Sequence, residues 1–138
     1  MSDWRPSASI EHLKQRAELL AQARAFFAER DVIEVQTPVL AKHSVTEPDV
    51  QNIEVPGYGY LQTSPEYQMK RLLAAGMPSC YQLGPAFRHG EKGRLHNPEF
   101  TMLEWYRLGF HHNQLMYEVA DLVDALLGPN PYQRLTYE

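Results

Sequence analysis

The clearest pattern of hydrophobic and polar positions in this sequence lies between residues 79 and 107. An apolar run over residues 79–83 leads into Phe87 and Arg88, and a loop containing Gly90 and Gly93 follows. From residue 100 to residue 107 the sequence then reads as a strand, in which successive side chains point to opposite faces. The whole stretch therefore predicts a β-hairpin.

One face of the second strand would carry a carboxylate, Glu104, among apolar neighbours. Its predicted neighbours on that face are Phe100, Met102 and Tyr106. A carboxylate on a half-buried face is costly unless it meets a cation or several hydrogen-bond donors. Two interpretations stay open: Glu104 binds the positive group of a ligand, or it forms an internal ion pair with Arg88 or Arg107.

The loop after Arg88 is rich in hydrogen-bond donors. These are His89, Lys92, Arg94, His96 and Asn97. The planar fork of an arginine matches phosphate oxygens and stays charged at any relevant pH. The cluster is therefore suited to a polyanion, although a solvated basic loop has the same composition.

One helix and one short strand are predicted in the first third of the chain. Ser9 can cap a helix that runs to about residue 29 or 30, with apolar residues along one face. Those residues are Leu13, Ala17, Leu20 and Phe27. Residues 32–37 then alternate as a strand that ends at Pro38, because proline cannot donate to a strand ladder. Residues 41–57 show no periodicity and are predicted to be a loop.

The second helix is predicted to begin at Ser64, after a strand over residues 58–63. Ser64 would be the N-cap and Pro65 the first helical residue, while Gly76 would end the helix. A helix N-terminus offers free backbone N–H groups and a partial positive charge, which suits a carboxylate. A well-capped helix without a ligand would have the same sequence.

A last helix is predicted between an N-cap at Asn113 and the Gly128-Pro129 pair. Its apolar stripe is predicted to belong to the core. The stripe consists of Leu115, Met116, Val119, Leu122, Val123 and Leu126.

Composition narrows the class of protein. The 138 residues are 43% hydrophobic, which is enough for one ordinary core. A net charge of −4 argues against a domain whose main task is to grip a nucleic acid backbone. The single Cys80 excludes an internal disulfide and is predicted to be a core thiol in a reducing compartment. Without an apolar leader or spanning segment, a cytoplasmic protein that contacts no membrane is expected.

Metal binding is not predicted from the loop residues His43, Glu47 and Asp49. Their spacing matches no defensible set of ligands, and scattered polar loop residues are common.

The hairpin carries a specific resemblance. Phe87-Arg88 followed by His96-Asn97-Pro98-Glu99-Phe100-Thr101-Met102-Leu103-Glu104-Trp105-Tyr106 resembles motif 2 of the class II aminoacyl-tRNA synthetases in its lysyl form. Residues 93–96 and 104–107 are most similar to the stand-alone lysyl paralogues that attach (R)-β-lysine to a lysine of elongation factor P. The helix and strand ending at Pro38 resemble motif 1, which builds the homodimer interface of that family.

The resemblance implies a fold class and a domain. The fold would be α+β, with an antiparallel sheet flanked by helices. Residues 1–138 would be the N-terminal portion of a class II catalytic domain, with motif 1 at about 9–38 and motif 2 at about 87–107. The glycine-rich motif 3, with its second arginine and preceding metal-binding carboxylates, has no counterpart here. The chain is therefore expected to be part of a longer protein and inactive alone.

The resemblance also implies site residues. Arg88 would stabilise charge on the α-phosphate of ATP, and Ser64, Pro65 and Glu66 would line the amino-acid pocket with Glu104 and Tyr106. The remaining nucleotide contacts would be His89, Gly90, Asn97 and Phe100. The family commonly has an acidic residue two places after the arginine, on the adenine side of the nucleotide. This chain has Gly90 at that position and Glu91 one place later. Glu91 is therefore expected to contact ATP only if the flexible loop lets its side chain reach the adenine side. Mg²⁺ would bind mainly outside this portion.

Three activities remain open. The main expectation is an ATP-dependent ligase that adenylates (R)-β-lysine and transfers it to elongation factor P. The alternatives are a lysyl-tRNA synthetase and an inactive dimerisation or regulatory module. Because the first helix starts soon after Met1, no N-terminal anticodon-binding barrel is expected, which favours the ligase and argues against tRNA as a partner.

Overall fold

The computed structural model describes residues 4–136. They form an α+β fold, as predicted. Its elements are α1 (Ile10–Ala28), β1 (Ile33–Glu34), β2 (Leu40–Ala41), β3 (Ile53–Val55), β4 (Gly59–Leu61), α2 (Glu66–Ala74), β5 (Cys80–Phe87), β6 (Glu99–Tyr106) and α3 (His112–Leu127). Within the described residues the chain divides into two compact units, residues 4–31 with 109–136 and residues 32–108.

The first unit consists mainly of α1 and α3, which pack against each other. Helix α1 begins after Ser9, whose side chain accepts from the His12 N–H at 3.1 Å, so the predicted cap is confirmed. The buried side chains of α1 lie in its last turns. They are Ala23, Phe26 and Phe27.

Both helical stripes are only partly buried. In α1, Phe27 is buried but Leu13 is 44% exposed. In α3, Leu122 is buried whereas Met116 and Val119 are 42% and 41% exposed. The prediction that the whole α3 stripe is core is therefore wrong. An apolar stripe shows that a helix has a face to cover, but residues 4–136 cover only part of it.

Helix α3 also begins earlier than predicted. His111, not Asn113, is the N-cap, and its backbone N–H donates to Oε1 of Gln114 at 3.1 Å. The Gln114 side chain thus satisfies the backbone N–H of the N-cap, and the Gln114 N–H donates in turn to the His111 carbonyl at 3.0 Å. Asn113 already lies in the first turn. The predicted end is confirmed, since α3 stops before Gly128.

The second unit contains the predicted hairpin. Strands β5 and β6 pair antiparallel from Cys80 opposite Tyr106 to Phe87 opposite Glu99. Strand β1 lies on the other side of β5 and runs parallel to it, so this sheet is mixed, with the order β1-β5-β6. Cys80 is fully buried, as predicted, and burial raises the pKa of its thiol.

Strand β1 is shorter than the predicted strand over residues 32–37. Regular pairing covers Ile33–Glu34, and one further bond runs from the Val35 N–H to the Tyr81 carbonyl at 2.8 Å. The side chain of Gln82 then accepts from the Thr37 N–H at 2.8 Å, where the ladder has ended. Pro38 follows and has no N–H to continue it.

A second sheet has the order β2-β4-β3 and is antiparallel. Residues 41–57 are therefore not all loop, because β3 lies inside this range and pairs with β4. Gly59 allows β4 to approach β2, since a Cβ there would lie 2.3 Å from the Ala41 carbonyl oxygen. Gln62 connects this sheet to β5: its carbonyl accepts from the Phe87 N–H at 3.0 Å.

Helix α2 begins one residue later than predicted. Pro65 occupies the N-cap position and Glu66 is the first helical residue. Ser64 still satisfies a backbone group of the first turn, because its Oγ accepts from the Glu66 N–H at 3.0 Å. Gly76 follows the helix with a φ of 94°, which fits its predicted role as a stop.

The part of the chain that the structure describes has no helix both long and apolar enough to cross a membrane.

Candidate active site

The carboxylate of Glu104 lies half-buried on the hairpin and accepts two hydrogen bonds from hydroxyl groups. Ser64 Oγ donates to Oε2 at 2.7 Å, and the Tyr106 hydroxyl donates to Oε1 at 2.9 Å. These hydroxyls satisfy lone pairs without neutralising the charge. Among residues 4–136, Glu104 thus contacts two hydroxyl groups and does not form the ion pair with Arg88 or Arg107 that the sequence allowed. The carboxylate remains suited to a positively charged ligand.

Ser64 couples the start of α2 to this carboxylate. Its oxygen accepts from the Glu66 backbone N–H while its own hydrogen goes to Glu104. Pro65, between them, is buried. Because the preceding strand and the helix start are both fixed, Ser64 holds Glu104 in one orientation.

Glu66 brings a second carboxylate to the same end of α2. Its Oε1 accepts from Lys70 Nζ at 2.5 Å, one helical turn on; the Lys70 side chain is 57% exposed and the Glu66 side chain 42% exposed. This hydrogen bond is the main reason that the pKa of Lys70 is raised. The charge of Glu66 also acts on Tyr106, so the two predicted acidic pocket residues belong to one electrostatic neighbourhood.

Tyr106 is held in its neutral, donating form. Burial is the largest cause that raises the pKa of its phenol, followed by the hydrogen bond to Glu104. At neutral pH the hydroxyl therefore remains protonated and directs its hydrogen at the carboxylate.

We expect this arrangement to make stability fall at high pH. Because folding raises the pKa of Tyr106, the folded chain holds a proton that the unfolded chain loses from about pH 10 upward. The stabilisation is complete below that pH and is lost as the pH rises through the folded pKa. Urea unfolding between pH 8 and pH 11 should show a shallower decline for Tyr106→Phe than for the wild type. Tyr58→Phe, at an exposed ring, is the control and should keep the wild-type slope.

Arg88 follows the last residue of β5 and packs over the same sheet face as Glu104. Its guanidinium lies 5.1 Å from the centre of the Phe100 ring, and Nε donates to the carbonyl of the buried Thr63 at 3.4 Å. Its backbone N–H donates to the Pro98 carbonyl at 2.9 Å. Within the described residues these contacts leave the two terminal nitrogens available to a ligand.

The loop after Arg88 lines an open cleft of about 430 Å³. The cleft brings together His89, Gly90 and Glu91, three of the predicted nucleotide contacts. Its full lining is Asp49, Gln51, His89, Gly90, Glu91, Lys92 and His96. Glu91 lies 3.8 Å from His96 Nε2 across the loop. Asn97, also predicted to contact the nucleotide, is exposed and not part of this lining.

Sequence reasoning missed two contributors. The Thr63 carbonyl orients Arg88, but main-chain groups leave no signature in the side-chain pattern. Gln51 contacts His89 through two hydrogen bonds across 38 positions of sequence. No local pattern could have indicated such a distant pair.

Among residues 4–136, no three His, Cys, Asp or Glu side chains lie together in a group that could hold a metal ion.

The amino-acid sequence of this chain matches a known family. The profile described as tRNA synthetases class II (D, K and N) matches residues 1–129. Three similar curated proteins carry the name elongation factor P–(R)-β-lysine ligase: those of Vibrio cholerae, Vibrio vulnificus and Yersinia enterocolitica. They are 53%, 51% and 48% identical to this chain, and each alignment covers 99% of it. The chain spans 45% of the length of each of these relatives.

Proposed function

Because this chain belongs to the class II tRNA synthetases of the D, K and N group, we propose that it is part of an ATP-dependent ligase. The enzyme would adenylate (R)-β-lysine and transfer it to a lysine side chain of elongation factor P. The names of the relatives support this choice of substrate and acceptor. The full-length parent, rather than this portion, is the protein to which the activity is assigned.

One observation carries the proposal: a charged carboxylate and an arginine lie on the same face of the hairpin. Glu104, held by Ser64 and Tyr106, would pair with a substrate ammonium. Arg88, held by Thr63 and Phe100, would contact phosphate oxygens. A lysine-like substrate and ATP need these two opposite charges close together. Pro65 and Glu66 would complete the amino-acid side.

The reaction would begin when a substrate carboxylate oxygen attacks the α-phosphorus of ATP. A new P–O bond forms, the bond to the β-phosphate oxygen breaks, and pyrophosphate leaves with its electron pair. Negative charge builds on the α-phosphate oxygens during this step. A preorganised arginine stabilises that charge more in the transition state than in the ground state. The acceptor amine then attacks the acyl carbon: a C–N bond forms, the C–O bond to the α-phosphate breaks, AMP leaves with the electron pair of that bond, and the amine nitrogen loses a proton.

The nucleotide contacts would divide between two structures. Phe100 offers an aromatic surface to adenine, while His89, Gly90 and Glu91 line the neighbouring cleft. Asn97 would contribute from the exposed end of the loop. Mg²⁺ is expected to assist the reaction, but no step assigned to these residues depends on it.

The test is ATP–pyrophosphate exchange by the full-length parent with (R)-β-lysine, with α-lysine and without amino acid. We expect exchange that prefers (R)-β-lysine, followed by transfer to elongation factor P. A preference for α-lysine would instead favour a lysyl-tRNA synthetase, and charging of tRNA would then be measured. No exchange with either lysine would exclude the proposed activity and favour a dimerisation or regulatory module.

We also propose that the parent is a homodimer through the region of Pro38. Exposed apolar side chains flank this proline: Ile33 is 47% and Leu40 is 39% exposed. Covering them would remove apolar surface from water. Sedimentation of the full-length parent should give the mass of a dimer, and a monomer at micromolar concentration would contradict the proposal.

A further inference from the structure

The segment over residues 44–52, here named the bridging loop, is closed at its base by the side chain of Asn52. Ser44 Oγ donates to Asn52 Oδ1 at 2.6 Å, and Asn52 Nδ2 donates to the Val45 carbonyl at 3.2 Å. Within the loop, the Val50 N–H donates to the Glu47 carbonyl at 3.2 Å. The oxygen and the nitrogen of the Asn52 amide thus both form hydrogen bonds that hold the two ends of the loop together.

The bridging loop contacts both sides of the candidate active site. On the amino-acid side, Thr46 Oγ1 lies 3.3 Å from the Tyr67 hydroxyl in the first turn of α2. On the nucleotide side, the His89 N–H donates to the Gln51 carbonyl at 2.9 Å, and His89 Nδ1 lies 3.0 Å from Gln51 Oε1. The second contact is a hydrogen bond in which the imidazole N–H donates to the amide oxygen.

We infer that Gln51 is a positioning residue for nucleotide binding. Its backbone and side chain together fix both the peptide and the ring of His89, which directly follows Arg88. Because the Arg88 N–H is bound to Pro98, the peptides on both sides of Arg88 are then constrained. The inference rests on the proposed function, since it assumes that Arg88 and the following loop bind ATP.

The physical basis is preorganisation. A loop that already has its bound conformation loses less conformational freedom when the ligand arrives. Gln51 and His89 are both exposed, so water competes with their side-chain bond, and its net contribution is about 1 kcal/mol. Loss of that bond should weaken ATP binding about fivefold. The amino-acid side, bound through Ser64 and Glu104, should be unaffected.

The experiment uses the full-length parent and the variant Gln51→Met, which keeps the length of the side chain and removes the amide. The dissociation constant of ATP is measured by calorimetry, and KM is measured for ATP and for (R)-β-lysine in pyrophosphate exchange. We expect the ATP constants to rise about fivefold and the KM of the amino acid to stay within about twofold. Thr46→Val is the matched control, because it releases the bridging loop from α2 but not from His89. It should leave the ATP constants within about twofold of the wild type.

Two results would overturn the inference: unchanged ATP binding in Gln51→Met, or equal increases for ATP and amino acid, which would show general loosening. Failure of the proposed function looks different. A wild type that binds ATP without exchange on either lysine would exclude the ligase, while the calorimetric comparison would still decide the role of Gln51. A wild type that binds no ATP would contradict both.

Discussion

Arg88→Ala is expected to lower the rate of ATP–pyrophosphate exchange by the full-length parent about 100- to 1,000-fold. Loss of a preorganised contact to charge that develops in the transition state costs about 3–4 kcal/mol. The structure supports this role because Thr63 and Phe100 hold the guanidinium from two sides. Steady-state exchange at saturating ATP and amino acid would measure the effect.

Two further variants separate this role from a general effect of charge. Arg88→Lys keeps the positive charge but loses the planar fork, so it should recover only part of the activity. Arg94→Ala removes an exposed arginine from the same loop and should stay within about twofold of the wild type, because a solvated charge contributes little. Equal losses in Arg88→Ala and Arg94→Ala would show that the loop acts only through its net charge.

The sequence predicted the hairpin and the position of Glu104 because both depend on local rules. Alternation over residues 100–107 places Glu104 and Tyr106 on one face, and the structure joins them by a hydrogen bond. Ser9 and Gly76 mark the ends of helices for equally local reasons. Such features need only the neighbours in sequence.

Features that depend on distant partners were predicted poorly. Local rules identify Ser64 as a helix cap, but its hydrogen bond to Glu104 joins residues 40 positions apart. The sequence predicts a loop where β3 lies, because three residues carry little periodicity without their partner β4. The sequence predicts that the α3 stripe belongs to the core, because periodicity identifies an apolar face but not what covers it. The contact between Gln51 and His89 likewise joins residues that are far apart in the sequence.

Glu104→Gln is expected to raise the KM of the amino-acid substrate between about tenfold and a hundredfold. The change removes the negative charge and keeps the shape of the side chain. Hydrogen bonds to charged groups contribute about 1.5–3 kcal/mol, and an ammonium loses that contribution when its partner becomes neutral. Exchange measured over a range of (R)-β-lysine concentrations would give this KM, while the KM of ATP should stay within about twofold.

The hydroxyl partners of Glu104 make this substitution informative. A carboxamide can accept from one hydroxyl and donate to the oxygen of the other, so Ser64 and Tyr106 both keep a partner and the fold should persist. Glu99→Gln, at the exposed start of the same strand, is the matched control and should leave both KM values unchanged. If Glu104→Gln behaved like Glu99→Gln, the carboxylate would serve the hairpin rather than the substrate. A rise confined to the amino acid would instead place the ammonium beside Glu104.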